Sequence, residues 1–196
     1  MHIKKHKEKA RDRYITSEEI ELFFQAVEEE QNQIIKDFIL IALYTAARKS
    51  NVLAMRWEDI NFHDETWRIP DTKNGEPHRV PLLKDAITIL QNRQKHQNSE
   101  WVFPSSASSS GHLEEPKKAW KRICQKADLK DLRIHDLRRT MASWMAMNGV
   151  SSYIIGKILG HKSPSSTAIY ARLSLDSARE AMKTTLAKTR DFKSTT

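Results

Sequence analysis

The sequence predicts a mainly α-helical domain with a small antiparallel β-sheet, which is an α+β fold. Apolar residues recur at three- and four-residue spacing through most of the 196 residues, as they do along helices that bury one face. Two short segments of β type flank Asn74-Gly75, a dipeptide that supplies the positive φ angles of a tight hairpin. With 39% hydrophobic and 30% charged residues, the chain has the composition of one globular domain.

Two helices and the hairpin are expected in the first part of the chain. Thr16 and Glu19 fit a capping box, which predicts a first helix from about Ser17 to Glu30. A second, apolar helix is expected from about Gln33 to Tyr44. The hairpin strands are expected at Thr66 to Pro70 and His78 to Leu82.

Four further helices are expected in the rest of the chain. The segment WVFPSSASSSGH is rich in serine and glycine and indicates a surface loop between two of them. Gly149 and Gly160 are natural C-caps, because glycine readily adopts the left-handed conformation that ends a helix. The four helices are expected at Leu83 to His96, Pro116 to Ala127, Ile134 to Asn148 and Ser152 to Leu159.

The net charge favours a polyanionic partner such as nucleic acid. There are 33 Lys and Arg against 25 Asp and Glu, which gives a formal charge of +8 and a pI near 9.6. The first thirteen residues contain six basic and two acidic side chains and so carry half of this excess. Because modestly basic proteins are common, charge alone does not separate a nucleic-acid footprint from a basic tail.

Several classes of protein are disfavoured by composition. The longest apolar runs are far shorter than the ~20 residues of a membrane span, and the basic N-terminus lacks the apolar region of a signal peptide. The single cysteine, Cys124, cannot form an internal disulfide. These features predict a cytoplasmic protein.

Six side chains are candidates for chemistry on a phosphate: two arginines, two histidines, a lysine and a late tyrosine. Such a set supplies the positive charge and the nucleophile that attack on a DNA phosphodiester needs without metal. The sequence has no H-E-x-x-H motif, no paired cysteines and no carboxylate cluster at ligand spacing, so we expect no metal site. The six candidates are Arg48, Lys73, His135, Arg138, His161 and Tyr170.

Structural alternatives remain open for Arg48 and Lys73 when only the residues are considered. Arg48 lies between two apolar segments, where a structural arginine would pair with a carboxylate such as Glu58 or Asp59. Lys73 lies on the hairpin, where lysines usually point into solvent.

The later candidates have structural alternatives as well. His135 and Arg138 share a helix face, but Arg139 is also a helical neighbour of His135, so periodicity does not choose between the two arginines. His161 follows the end of a helix, where a histidine is often a partner of the helix dipole. Tyr170 stands among small and apolar residues, as a packed aromatic would.

The order and spacing of these residues form a recognisable set of motifs. His135 and Arg138 make an H-x-x-R motif, His161 stands in L-G-H, and Tyr170 follows that histidine by nine positions. Together they resemble the catalytic domain of the tyrosine recombinase family. The segment from Arg48 to Glu58 is most similar to that of the phage-type integrases.

The resemblance extends from about Thr16 to Leu173, nearly the whole chain. The segment TKNGEPHRVPL, which contains Lys73, resembles the family's T-K-x-x-x-x-R-x-V-P-L hairpin. The match is imperfect around Arg48: the family usually has a glycine two positions earlier and an acidic residue three positions later. Ala46 and Asn51 occupy these positions here, which bears on how Arg48 is oriented.

The resemblance implies site-specific DNA recombination, as integration or excision, through a 3′-phosphotyrosine intermediate and without a cofactor. The H-x-x-R motif selects Arg138 over Arg139, which would then pair with an acid or a DNA phosphate. The implied roles are Tyr170 as nucleophile, Arg48 and Arg138 as ligands of the phosphate oxygens, His135 as base, Lys73 as the acid that protonates the leaving 5′ oxygen, and His161 as a hydrogen-bond donor to the phosphate.

The same resemblance implies an organisation and a set of partners. Residues 1–15 resemble a basic interdomain linker, residues 16–173 the catalytic domain, and residues 174–196 a C-terminal helix and tail. An apolar stripe on that helix, formed by Ala178, Met182 and Leu186, would pack on its own domain or dock on a neighbouring protomer. The implied partners are duplex recombination sites, a homo-tetramer on DNA and accessory DNA-bending proteins, in the cytoplasm and associated with the nucleoid.

Two other functions are compatible with parts of this pattern. A type IB topoisomerase has a similar fold and the same chemistry but relaxes supercoils, and the compact spacing of the motifs argues against it. A DNA-binding or assembly fragment that has lost catalysis is the alternative from another class. The presence of all six candidates disfavours it, whereas Ala46 and Asn51 keep it under consideration.

Overall fold

The α-helices expected from periodicity are present, with bounds that differ from expectation by at most three residues. A computed structural model describes residues 12–70, 77–96, 98–175 and 177–184. One short helix, α3, was not expected. The helices are α1 Ile20–Glu28, α2 Gln33–Thr45, α3 Lys49–Leu53, α4 Lys84–Gln94, α5 Lys117–Lys126, α6 Asp136–Met147 and α7 Ser152–Leu159.

The small sheet has three antiparallel strands in the order β1-β2-β3, one more than the sequence analysis predicted. The strands are β1 Ile60–Asn61, β2 Thr66–Ile69 and β3 His78–Pro81. Trp67 pairs with Val80, and both are buried on the face that meets the helices, whereas Arg68 and Arg79 pair on the exposed face. The two-residue strand β1 is too short to show an alternating pattern, so periodicity did not reveal it.

The start of α1 differs from the expected capping box. The helix begins at Ile20, and Glu19 is itself the N-cap residue, without a side-chain cap. One half of the box is present, because the Glu19 carboxylate accepts the Thr16 amide at 3.0 Å. The same carboxylate pairs with Arg13 at 2.6 Å. Glu19 therefore fixes the chain entering α1 instead of lying one turn inside the helix.

The main hydrophobic core lies between α1, α2, α4, α5 and the buried face of the sheet. Phe23 of α1 packs edge-to-face on Trp120 of α5, with ring centroids 6.5 Å apart. Phe38 of α2 meets Phe103, from the loop before α5, at 5.7 Å. The expected inward residues of the fourth and fifth helices are buried, as amphipathic spacing predicted.

A second, smaller apolar cluster joins α6, α7 and the 3-10 helix Ala168–Ser174. Gly160 ends α7 in the left-handed conformation, with φ 61°, as its position in the sequence predicted. The members of this cluster are Ala46, Ala142, Ala146, Ile155, Leu159 and Tyr170.

Residues 177–184 are helical, and Met182 is 73% exposed there. None of the helices in the described segments combines the length and apolar character of a membrane span.

Candidate active site

Arg138 is held at the junction of three helices. It lies in the first turn of α6 and is buried, with its guanidinium donating to the Ala46 carbonyl at 2.7 Å and to the Leu159 carbonyl at 2.6 Å. Desolvation, together with the positive charge of Arg48, lowers the pKa of Arg138 to about 10. The side chain therefore stays protonated at neutral pH. Two of its five N–H groups are used in these bonds, so others remain to meet a phosphate.

Arg48 lies beside Arg138 because of the turn that ends α2. It is the N-cap residue of α3 and is half-buried. Its charge lowers the pKa of Arg138, of His135 and of His161, which places all four side chains around one electropositive region. These four side chains come from positions that are far apart in sequence.

The structural alternative for Arg48 required a carboxylate partner. Glu58 is engaged by Arg56 at 3.3 Å, and Asp59 lies 3.7 Å from Arg68. In the described segments, neither carboxylate is paired with Arg48. The guanidinium thus keeps a charge available for a ligand.

The two positions that depart from the family pattern flank Arg48. Ala46 adopts φ 50° and ψ 20°, a left-handed conformation that costs a residue with a Cβ about 1–2 kcal/mol and explains why glycine suits this position. Its methyl group is fully buried in the second apolar cluster. Asn51 lies one turn along α3, where its backbone N–H donates to the Arg48 carbonyl at 2.9 Å.

His135 is the N-cap residue of α6 and so precedes the helix, instead of lying inside it as expected. It remains close enough to Arg138 for the arginine's charge to affect the pKa of its ring. The ring is exposed to solvent, yet enough protein surrounds it that desolvation lowers its pKa, with Arg138 and Arg139 adding to the effect. The imidazole is therefore neutral at neutral pH and able to accept a proton.

His161 follows the C-cap of α7. Its Nδ1 is 2.8 Å from the Thr167 hydroxyl, which fixes the ring orientation. Desolvation, then the charges of Arg138 and Arg48, lower the pKa of His161 to about 4. A surface cleft of about 320 Å³, lined also by Lys157 and Lys162, opens beside it. The ring is neutral and half-buried beside this cleft, and its other nitrogen carries the donor N–H when Nδ1 accepts from the Thr167 hydroxyl.

Tyr170 lies in the 3-10 helix Ala168–Ser174 and is only 6% exposed. Burial raises the pKa of its hydroxyl, and the nearby charges of Arg139 and Arg138 oppose that rise. The structural alternative expected a packed aromatic side chain at this position. The ring packs in an apolar cluster, and the hydroxyl is within reach of two arginines.

Arg139 lies near Tyr170, which the sequence analysis did not predict. It pairs with Asp136 at 3.1 Å, which agrees with the expected acidic partner. Its guanidinium also lies near the Tyr170 hydroxyl, and the positive charge lowers the pKa of that group. Helical spacing within α6 does not predict that Arg139 lies near Tyr170. Their proximity depends on how the chain after α7 packs on α6.

Lys73, the remaining candidate, lies outside the described residues. Within the described ranges no group of three or more His, Cys, Asp or Glu side chains is arranged to hold a metal ion. Burial raises the pKa of the Cys124 thiol to about 11, so this cysteine is protonated at neutral pH and is a poor nucleophile.

Comparison with known proteins identifies the family of the chain. The model of the phage integrase family matches residues 13–177. The prophage integrase IntF of Escherichia coli K12 is 33% identical over 178 residues, which are 86% of this chain and 37% of that protein. The tyrosine recombinase XerA of Pyrococcus furiosus is 29% identical over 176 residues, which are 86% of this chain and 60% of that protein. The chain thus spans between about a third and three fifths of these relatives.

Solved structures show the same fold. The catalytic domain of bacteriophage HP1 integrase superimposes with a TM-score of 0.68 at 19% identity, covering 88% of this chain and 95% of that domain. The integrase of the transposon Tn1549, solved in complex with transposon right end DNA, superimposes with a TM-score of 0.75 at 18% identity. That match covers 94% of this chain and 68% of the other.

The chain therefore belongs to the phage integrase family, since the family model covers most of its length. Its fold is that of a tyrosine recombinase catalytic domain, and tyrosine recombinases are the class of enzyme that breaks and rejoins DNA at specific sites.

Proposed function

We propose that this chain is the catalytic domain of a recombinase that integrates or excises DNA by cutting and rejoining strands through a 3′-phosphotyrosine on Tyr170. The observation that carries the proposal is the convergence of Arg48, Arg138, His135 and His161 around one region that also reaches the Tyr170 hydroxyl. Four cationic or hydrogen-bonding groups around a phenol form a site for a phosphodiester.

The two arginines would bind the non-bridging oxygens of the scissile phosphate. Guanidinium groups match phosphate with paired hydrogen bonds and stay charged at neutral pH. Because the carbonyls of Ala46 and Leu159 hold Arg138 before DNA arrives, its charge is preorganised. A preorganised donor of this kind stabilises a transition state by roughly 3 kcal/mol, about a hundredfold in rate.

The proton transfers would use the remaining groups. The Tyr170 hydroxyl, with its raised pKa, needs a base, and neutral His135 is the group at the site suited to accept its proton. As the Tyr170 oxygen bonds to phosphorus, the bond to the 5′ oxygen breaks, and Lys73 would supply that oxygen's proton. His161 would donate from its second ring nitrogen to a phosphate oxygen. In the reverse step a 5′-hydroxyl from a partner strand attacks phosphorus and releases Tyr170.

The burial of Tyr170 implies a conformational step. Because Tyr170 as a whole is only 6% exposed, its hydroxyl does not meet a duplex until the 3-10 helix Ala168–Ser174 shifts outward. Helices of the 3-10 type have poorer hydrogen-bond geometry than α-helices and are easily rearranged. We propose that DNA binding at the arginines displaces this segment.

The partners are proposed on the same basis. Duplex recombination sites would bind the electropositive region as part of a tetramer, with DNA-bending proteins as accessory factors. Residues 16–173 would form the catalytic domain and residues 1–15 a linker. Leu175 and Met182 are 64% and 73% exposed, which supports docking of the segment after residue 173 on a neighbouring protomer.

The decisive experiment is covalent trapping on nicked suicide duplexes in the absence of divalent metal. Wild-type chain should form an adduct that survives denaturant, and mass spectrometry should locate it at Tyr170. Tyr170→Phe should abolish the adduct and leave DNA binding nearly unchanged. Tyr153→Phe is the matched control, since Tyr153 is an exposed tyrosine of α7.

A denaturant-resistant adduct in the Tyr170→Phe variant would show that another group attacks the phosphate. A plasmid relaxation assay on the same preparations separates strand exchange from topoisomerase-like activity. Relaxation without joining of two duplexes would favour the topoisomerase alternative.

A further inference from the structure

The strand β3 contacts the end of α7 through a side chain that has no role in the proposed reaction. The Nε2 atom of His78, the first residue of β3, lies 2.9 Å from the carbonyl of Ile158. That carbonyl belongs to the last turn of α7, where backbone acceptors have no partner within the helix. Because a carbonyl only accepts, the His78 ring must donate from Nε2.

The neighbouring carbonyl is bound by a side chain of another element. Leu159 accepts a hydrogen bond from Arg138 at 2.6 Å. Two consecutive carbonyls at the end of α7 are thus held by side chains of β3 and α6. Two residues later the chain presents His161.

Packing reinforces this arrangement. A Cβ built on Gly160 would lie 3.2 Å from Cδ2 of the His78 ring and 3.3 Å from its Cγ and Nε2. The ring therefore lies flat against the left-handed turn that connects α7 to His161. Gly160 is needed both for its φ of 61° and for this close approach.

We propose that His78 is a positioning residue, which fixes the turn after α7 and thereby orients His161 toward the scissile phosphate. This inference rests on the proposed function for its catalytic consequence. Its structural part, the control of the His161 environment by His78, is independent of any reaction. Rigid support of this kind matters because a misplacement of 1 Å can cost about a hundredfold in rate.

Three variants separate the hydrogen bond from the packing. His78→Phe keeps a flat ring against Gly160 but removes the donor. His78→Gln keeps a donor at a position close to that of Nε2. His63→Phe is the control, since His63 is an exposed histidine in the turn between β1 and β2.

The first measurement is an NMR titration of the His161 ring without DNA. Wild type, His78→Gln and His63→Phe should give a pKa close to 4, the value set by the intact site, and His78→Phe should move it toward the ordinary 6.5. Circular dichroism confirms that each variant is folded. An unchanged His161 titration in folded His78→Phe would overturn the inference.

The second measurement is the rate of adduct formation on suicide duplexes. We expect a loss of roughly tenfold in His78→Phe, smaller than a full displacement of the site would cause, and near-complete rescue in His78→Gln. Equal rates in wild type and His78→Phe would overturn the catalytic consequence. If wild type forms no adduct, the proposed function fails, whereas the titration still decides the role of His78.

Discussion

At the scale of single residues, the two arginines of the site have different structural positions. Arg138 is buried and satisfies two backbone carbonyls, whereas Arg48 is half-buried at the start of α3. The positive charge of Arg48 is close enough to disfavour the charged form of Arg138. Under the proposed function, Arg138 therefore contributes to folding as well as to phosphate binding, and Arg48 mainly to phosphate binding.

Arg138→Ala should lower the free energy of unfolding by about 2–4 kcal/mol, because two buried acceptors lose their donors at about 1–3 kcal/mol each. Arg48→Ala should change it by less than about 1 kcal/mol, since it removes a repulsion and no such bond. Both should abolish adduct formation. Urea denaturation and the trapping assay measure the two effects. Equal destabilisation by the two variants would contradict the distinction.

The lowered pKa of His161 predicts a pH dependence of stability. In the unfolded chain this histidine binds a proton below its ordinary pKa of 6.5, whereas in the folded chain it does so only near 4. Between these values the unfolded state holds more protons, so the free energy of unfolding should fall as pH falls from about 6.5 to about 4. His161→Gln should show a shallower decline.

Urea denaturation at several pH values in this window measures the effect, with His63→Gln as the control for an exposed histidine. His135, whose pKa is also lowered, contributes in the same direction and is present in all three proteins. Identical pH dependence in wild type and His161→Gln would show that the ring is not desolvated.

At the scale of elements, the sequence predicted the helices well because their apolar stripes are long. The bounds of α7 and the left-handed turn at Gly160 were predicted fully, since local chemistry determines them. The two-residue strand β1 and the 3-10 geometry around Tyr170 were not predicted, because both depend on what packs against them. The roles of His78, Thr167 and Arg139 were missed for the same reason.

The site, like the fold, was predicted only in part. Family motifs identified the residues now seen around the electropositive region, but they did not reveal that Tyr170 is buried or that His135 precedes α6. Burial of a nucleophile depends on contacts between α6 and the chain after α7. No spacing rule within one element reports such contacts.

A buried ion pair joins α2 and α4. Asp37 and Arg93 meet at 2.8 Å with side chains that are 7% and 5% exposed. Asp37→Ala would leave the Arg93 guanidinium buried without its counter-ion. The expected loss of stability is about 3–5 kcal/mol.

Two control variants test whether the burial of the Asp37–Arg93 ion pair causes the loss of stability. Glu58→Gln removes one partner of an exposed ion pair with Arg56 and should cost less than about 1 kcal/mol. Asp37→Leu combined with Arg93→Met removes both charges and should recover part of the loss in thermal and urea denaturation. A cost for Asp37→Ala as small as that for Glu58→Gln would exclude an essential role of the pair.

At the scale of the whole molecule, net charge would govern the proposed encounter with DNA. The chain carries a formal +8, half of it in the first thirteen residues, and the site itself concentrates arginines and histidines. Each phosphate neutralised by a cationic side chain releases counter-ions, so binding weakens as salt rises. Phosphate contacts of this kind position the protein on a duplex and carry little sequence information.

If four to eight phosphates are contacted, raising salt from about 50 to 200 mM should weaken binding by roughly 10²- to 10⁴-fold, from a slope of about −0.9 per phosphate. Fluorescence anisotropy with a labelled duplex measures this slope. Arg48→Ala should reduce its magnitude by about one, because one phosphate contact is lost, whereas Tyr170→Phe should leave it unchanged. Affinity that does not respond to salt would mean that this surface does not bind DNA through its phosphates, and the proposed site would lose its substrate.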